Sequence, residues 1–345
     1  MSSPLTVAFL GCGFITGVHG GHLRRLRDRF VPAYASRDRV KAEAYRARYG
    51  GTAAYGDYRA AIDDPAIDAV VVAMPPRFHL EWTLAALDAG KHVLVEKPAF
   101  LRMEDYERVC ASRDRAGRTV IVGENDHYKP LAVCLRRLLA DGAIGDLLMA
   151  HFTTLVRRLK SAGDWRNDEH AAGGDAFFEE GIHWLHLANC LGPRITQAWG
   201  VRPPGGREGP DRRAKSLLAA FRYDNGAGGT LYYSREVPSL LRGLRLSKLF
   251  GRDGIISFES NGAAVLVRGR RTRRPELILP GFRDIRGYRA MYRDFADAIA
   301  SGRPPEMSLE AAMDDQRTME QIAASADGAE AGEIGDGSRV GIDGR

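Results

Sequence analysis

The first 124 residues repeat one motif, a short apolar run followed by a helix-length stretch, and few folds accommodate that rhythm. The runs are LTVAFLG (5–11), VPAYAS (31–36), DAVVVAM (68–74), KHVLVE (91–96) and RTVIVGE (118–124). They are rich in Val, Ile and Leu without strict alternation, so both faces of each strand must be covered. The stretches between them read as amphipathic helices: a helical stretch that carries HLRRLRDRF (22–30), DRVKAEAYRARYG (38–50) stopped at Gly50, HLEWTLAALDAG (79–90) stopped at Gly90, and a helix over about 103–116. Parallel strands separated by helices form a doubly wound α/β sheet.

Beyond about residue 125 the pattern changes. A helix at 130–142 leads to a strand-like run at 146–159, then to a helix carrying EEGIHWLH (179–186). Strand-like runs follow at 194–201, 216–225, 229–237, 244–251, 254–260, 263–269 and 275–280, and helices at about 286–301 and 308–326 close the chain. Alternating apolar and polar residues between Gly, Asn and Asp turns predict a mainly antiparallel sheet with one open face. The expected organisation is a Rossmann domain at 1–125, an α+β substrate-binding and oligomerisation domain at 126–328, and a flexible tail at 329–345 that is poor in large apolar residues.

Composition narrows the class. Hydrophobic residues make up 44% and charged residues 27%, as in an ordinary globular protein. No apolar run approaches the ~20 residues of a membrane span, and the opening has no basic segment of the kind that begins a signal peptide. Cys12, Cys110, Cys134 and Cys190 form no C-x-x-C pair, so zinc ribbons and thiol redox chemistry are disfavoured and reduced cytoplasmic thiols are expected. The net charge of +6 is concentrated in clusters such as RGRRTRRP (268–275) and GREGPDRRAK (206–215). Gly and Pro interrupt both, which indicates exposed turns and argues against a nucleic-acid surface.

The first strand runs directly into Gly11-x-Gly13 and then a helix. Gly11 permits a tight turn. Gly13 leaves room for a pyrophosphate to reach the helix N-terminus, whose first residues are Phe14 and Ile15. The usual third small residue falls at Thr16, with Gly17 just behind. Ser36 and Arg37 end the second strand about 25 residues after Gly11, near where an NAD enzyme carries a ribose-binding acid. Serine there does not repel a 2′-phosphate and Arg37 can pair with one, so NADP(H) is preferred over NAD(H).

The stretch MPPRFH (74–79), a helix, and then GKHVLVEKP (90–98) resemble the Gfo/Idh/MocA family, the glucose–fructose oxidoreductase and inositol dehydrogenase type. The resemblance continues through GENDHYKPL (123–131), DGAIGDL (141–147), GGDAFFEEGIHW (173–184) and FADAIASGRPPEMSLEAAMDD (295–315), and spans about residues 5–328. It implies that Lys97 of Glu96-Lys97-Pro98 lies beside the nicotinamide and the reacting oxygen. Independently, a lysine at the carboxyl end of a parallel strand projects into the ligand crevice and can stabilise a developing alkoxide. The resemblance also places Pro75, His79 and Glu96 near the cofactor.

In the family an acid four residues before a histidine completes the site, which corresponds here to Glu179 and His183. Residues i and i+4 share a helix face, and an imidazole suits proton exchange with a hydroxyl. His183 is therefore the expected acid/base, with Glu179 orienting it or holding a substrate hydroxyl. Glu179 stands where the family usually has Asp, and Glu180 is adjacent, which leaves the acid's role open between chemistry and substrate binding. A metal held by Glu179, His183 and His186 is disfavoured because no ligand signature accompanies them, and His186 is expected in the core. Asn125 and Tyr128, and Trp165 and Arg166 in RRLKSAGDWRNDEH (157–170), are candidate substrate contacts.

The resulting expectation is an NAD(P)-dependent enzyme that moves a hydride to or from a ring hydroxyl or keto carbon of a sugar, inositol, inosose or related cyclic polyol. Family members commonly pair through the open sheet face, which implies a homodimer or homotetramer. Two rivals share the fold: a glycosidase with tightly held NAD, and a non-catalytic dinucleotide sensor, against which intact Lys97 and His183 argue.

Overall fold

The structure is a computed structural model that describes residues 3–157, 172, 174, 176–203, 215–237, 245–270 and 274–328. Its first part is a six-stranded parallel sheet built from β1 (Leu5–Leu10), β2 (Phe30–Ala35), β3 (Ala54–Tyr55), β4 (Ala69–Val72), β5 (His92–Val95) and β6 (Val120–Val122), in the order β3-β2-β1-β4-β5-β6. Helices α1 (Phe14–Leu23), α2 (Arg39–Tyr49), α3 (Tyr58–Asp63), α4 (His79–Asp88) and α5 (Met103–Ala116) join the strands. Two-sided coverage leaves Val7 to Leu10 and Val70 to Val72 with no exposed surface. Each such Val or Leu contributes roughly 1.5–3 kcal/mol. The two-residue β3 and the short α3 were not legible in the sequence, because neither carries a run long enough to show periodicity.

Local chemistry sets the helix boundaries. The Asp38 carboxylate caps α2 by accepting from the Val40 and Lys41 amides, and Gly50 ends it at φ 77°. Helix α5 has Glu104 and Asp105 in its first turn and Arg113 and Arg115 in its last, matching the helix dipole, and Gly117 stops it in the left-handed region.

The second part is an eight-stranded sheet in the order β14-β13-β12-β11-β7-β10-β9-β8. Its strands are β7 (Leu147–Leu155), β8 (Ile195–Val201), β9 (Ser216–Tyr223), β10 (Gly228–Ser234), β11 (Leu246–Gly251), β12 (Ile255–Glu259), β13 (Val265–Arg268) and β14 (Glu276–Ile278). Every pairing is antiparallel except β7 with β10, which lie parallel. Helices α6 (Pro130–Ala140), α7 (Ile182–Asn189) and α9 (Leu309–Gly328) accompany this sheet, and residues of all three join its core. Register puts Trp199, Val201, Leu218, Tyr232, Leu246 and Leu266 together on the opposite face, where all are exposed.

Helix α8 (Tyr288–Ser301) follows the second sheet in sequence but packs back on the first, burying Tyr288, Met291, Tyr292 and Phe295 in that core. Its return brings Tyr288 to the cleft between the sheets. No described helix is long and apolar enough to cross a membrane.

Candidate active site

A cleft of about 380 Å³ opens beside the β1–α1 turn, lined among others by Phe14, Ile15, Asn125, His183, Trp184 and Tyr288. The sheet order reverses between β1 and β4, and the crevice at the carboxyl ends of those strands is where such sheets take ligands. Gly11 has φ +111°, and a Cβ there would lie 2.5 Å from the Ala73 carbonyl oxygen, so only glycine fits this turn. Gly13 is different: a Cβ would meet nothing within 4 Å. As N-cap of α1 it offers no side chain to the first helical amides, which leaves both space and donors for a pyrophosphate. The residues present therefore fit a dinucleotide.

The fingerprint's missing third glycine is supplied one position late. Thr16 turns inward and donates to the Gly11 carbonyl at 2.7 Å. A Cβ on Gly17 would lie 2.8 Å from the Tyr49 hydroxyl, so the close approach between helices occurs there. At the end of β2, Ser36 is buried and its hydroxyl accepts from the Asp38 amide. Asp38 itself is committed to capping α2, and Arg37 reaches the Tyr58 hydroxyl.

Lys97 follows β5, and the Lys97–Pro98 peptide is cis. Its ammonium donates to the Glu179 carbonyl oxygen at 2.6 Å and stands 3.7 Å from Glu179 Oε1. The residues around it are less available than the sequence suggests. The Glu96 carboxylate turns into the core, 2.7 Å from His19 Nε2, while His19 Nδ1 lies 2.8 Å from the Tyr292 hydroxyl. His79 is also buried, with Nε2 2.7 Å from the Met74 carbonyl and Nδ1 3.0 Å from those of Pro98 and Ala99. Both side chains are buried and tie the Lys97 loop in place. Pro75 opens the turn after β4.

On the opposite wall the chain passes through a π-helical turn, Phe177–Gly181, before α7 begins. A π turn inserts an extra residue and re-aims the side chains next to it. His183 Nδ1 lies 2.7 and 2.8 Å from the two carboxylate oxygens of Glu124, which follows β6 and is 1% exposed. Glu124, rather than Glu179, therefore orients the ring, and the ring nitrogen left for the cleft is Nε2. Burial pushes the Glu124 carboxyl up, but the charge and hydrogen bond of His183, helped by His186 and Lys97, outweigh it and hold the group well below the usual carboxylate range. The signal that could have found Glu124 was its position just past the last parallel strand.

Asn125 lines the cleft, where its side-chain amide donates to the Arg286 carbonyl at 2.8 Å. The Tyr128 hydroxyl is engaged elsewhere. It donates to Asp294 at 2.6 Å and accepts from the Met307 amide at 3.0 Å, which makes Tyr128 a strut between segments instead of a substrate contact. His186 is 3% exposed, with Nδ1 2.7 Å from Asp315. His183 and His186 thus take separate partners and do not converge with Glu179. Asp126 approaches His183 Nδ1 at 3.9 Å, but Lys129 already neutralises it at 2.6 Å. Trp165 and Arg166, residues 206–214 of one arginine cluster and residues 271–273 of the other lie outside the described residues.

Comparison with known proteins identifies the family. Residues 5–124 match the GFO_IDH_MocA model, an oxidoreductase family with an NAD-binding Rossmann fold, and residues 133–256 match the GFO/IDH/MocA C-terminal domain. The chain belongs to the Gfo/Idh/MocA family. D-xylose 1-dehydrogenase (NADP(+)) 2 of Haloferax volcanii is 27% identical over 298 residues, covering 86% of this chain and 89% of the relative. Levoglucosan dehydrogenase of Pseudarthrobacter phenanthrenivorans is 26% identical over 341 residues, covering 88% and 84%. A solved levoglucosan dehydrogenase, in complex with NADH and levoglucosan, superposes with a TM-score of 0.83 at 21% identity over 94% of this chain and 98% of that one, a likeness in fold. This family member is an oxidoreductase with sugar-dehydrogenase relatives.

Proposed function

We propose that this protein is an NADP(H)-preferring dehydrogenase or reductase acting on a ring hydroxyl or keto carbon of a sugar or cyclic polyol. The observation that carries the reading is that Lys97 stands beside Glu179 and acts by its charge on Glu124, the buried carboxylate that holds His183 at the cleft. Lys97 donates to the substrate oxygen and steadies the negative charge that develops on it. In the oxidative direction His183 accepts the hydroxyl proton through Nε2, and Glu124 stabilises the resulting imidazolium. The carboxylate of Glu179, beside Lys97, accepts from a neighbouring substrate hydroxyl. The bound nicotinamide supplies or removes the hydride.

Gly11, Gly13, Phe14 and Ile15 hold the pyrophosphate in this reading, and Ser36 and Arg37 hold the 2′-phosphate. Two observations support the phosphate assignment: Asp38 is occupied as a helix cap, and Arg37 and Tyr58 meet beside it. An NADP(+) enzyme among the relatives points the same way. We further propose a domain boundary near residue 125, a cytoplasmic location, and subunit pairing through the exposed apolar sheet face around Leu218 and Tyr232.

The test is fluorescence titration of the purified protein with NADPH and NADH, followed by a screen of aldoses, inositols and inososes. Tighter, exchangeable NADPH binding with turnover supports the proposal. Preference for NADH overturns the Ser36 and Arg37 assignment. A cofactor that co-purifies and does not exchange favours the glycosidase rival.

A further inference from the structure

Beside the His183–Glu124 pair, one helical turn further along α7, two histidines and a cysteine meet. His127 Nδ1 lies 3.0 Å from His186 Nε2, and with Cys190 Sγ these atoms all fall within 4.8 Å of one another. His186 and Cys190 are i and i+4 along one helical stretch, a spacing that stacks two ligands on one face. His127 comes from the short helical turn Asn125–Tyr128, so the cluster joins two segments that the chain separates widely.

We infer that His127, His186 and Cys190 form a binding site for a divalent ion of intermediate softness, zinc in class, outside the catalytic cleft. The donor set of two imidazoles and one thiolate suits zinc or cobalt and is poor for magnesium or calcium. Each histidine also has the outer partner that metal-bound imidazoles carry. His186 Nδ1 is 2.7 Å from Asp315, which Asn189 holds in turn at 2.9 Å, and His127 Nε2 is 3.4 Å from Glu306. A direct imidazole–imidazole hydrogen bond is a single proton between two lone pairs. An ion at the ~2.0–2.1 Å distances of zinc to nitrogen would replace that proton and open the nitrogens to roughly 3.3 Å, a small rotation of either ring.

Charge balances in both states. With the metal bound, the thiolate, Asp315 and Glu306 face the ion and Arg136, whose guanidinium lies 3.8 Å from the sulfur. Without it, one imidazolium and Arg136 face the two carboxylates, and the cysteine keeps its proton and donates to the Leu187 carbonyl at 3.5 Å. Binding therefore exchanges one ion for two protons. Glu124 lies three residues before His127, and His183 three before His186. The ion would staple the segment that carries the orienting carboxylate to the helix that carries the acid/base. This inference does not rest on the nucleotide or substrate assignments.

The experiment is titration of the full chain, stripped with a chelator, with cobalt(II) alone. Expected is one equivalent bound with tetrahedral visible absorption and a near-ultraviolet thiolate-to-cobalt band, displaced by zinc. Cys190→Ser should lose the thiolate band, and His127→Asn should weaken binding by at least about tenfold. Both positions are partly solvent-facing, and circular dichroism with thermal melting verifies that each variant is folded. In the wild type zinc should raise the melting midpoint, a rise absent from Cys190→Ser. Absence of saturable binding, or a band that survives Cys190→Ser, overturns the inference.

Discussion

Lys97 on the strand wall and His183 on the helix wall both act on Glu124, and the two are held in place by different means. Lys97 leaves a strand whose neighbours pair with it residue by residue, and buried contacts from His19 to Glu96 and from His79 to Pro98 clamp the loop on either side. His183 sits on a helix just past a π turn, and its ring is set by one partner, Glu124, 59 residues away in sequence. The strand wall is thus determined redundantly, whereas the helix wall depends on a single buried pair. Substitutions should separate the two.

The largest effect is expected from Lys97→Ala, with kcat/KM lowered by about 10²–10³-fold while NADPH still binds. A loss below about tenfold would show that the strand wall only positions substrate. Glu124→Gln should come next, lowering kcat by roughly 10²-fold because the imidazolium loses its counter-charge. The same variant tests the electrostatics. The Glu124 carboxyl is held below its ordinary 4.5, so its contribution to stability is complete above that pH and is lost as the pH falls through about 2. Urea melts of wild type and Glu124→Gln should therefore differ most above pH 4.5 and converge below it. A constant gap would mean that the pair is not ionic.

The two glycines of the first turn sharpen the contrast within the strand wall. Gly11→Ala should cost at least about 2 kcal/mol, since the left-handed backbone and the Ala73 carbonyl both oppose a side chain. Gly13→Val should leave the urea midpoint nearly unchanged, within about 0.5 kcal/mol, yet weaken nucleotide binding at least about tenfold by filling the phosphate space. Equal damage to folding from both would remove the case for a cradle at Gly13. The smallest effect is expected from Arg37→Ala: NADPH affinity falls about tenfold and NADH affinity stays the same, measured by fluorescence.

Most of the strand wall could be read without coordinates. A buried strand followed by Gly11-x-Gly13, and another ending in Glu96-Lys97-Pro98, place their residues at strand ends by the geometry of a parallel sheet alone. Helix periodicity likewise located α5 and α9, whose apolar positions recur over several turns. Periodicity is blind to partners, however. Nothing in the spacing of residues 179–183 announces a π turn. Nor does any local pattern say that Glu124 meets His183 across 59 residues, that Tyr128 gives its hydroxyl to Asp294, or that α8 returns to the first core.

Local sequence, then, determined the elements, the parallel sheet and the candidates at its strand ends, because backbone sterics and side-chain period act within a few residues. Tertiary structure decided which carboxylate orients the histidine, which of the candidate polar groups are already bonded, and which histidines meet a cysteine. Those outcomes depend on desolvated contacts between distant segments, where a buried charge is stable only beside a partner that the fold brings to it.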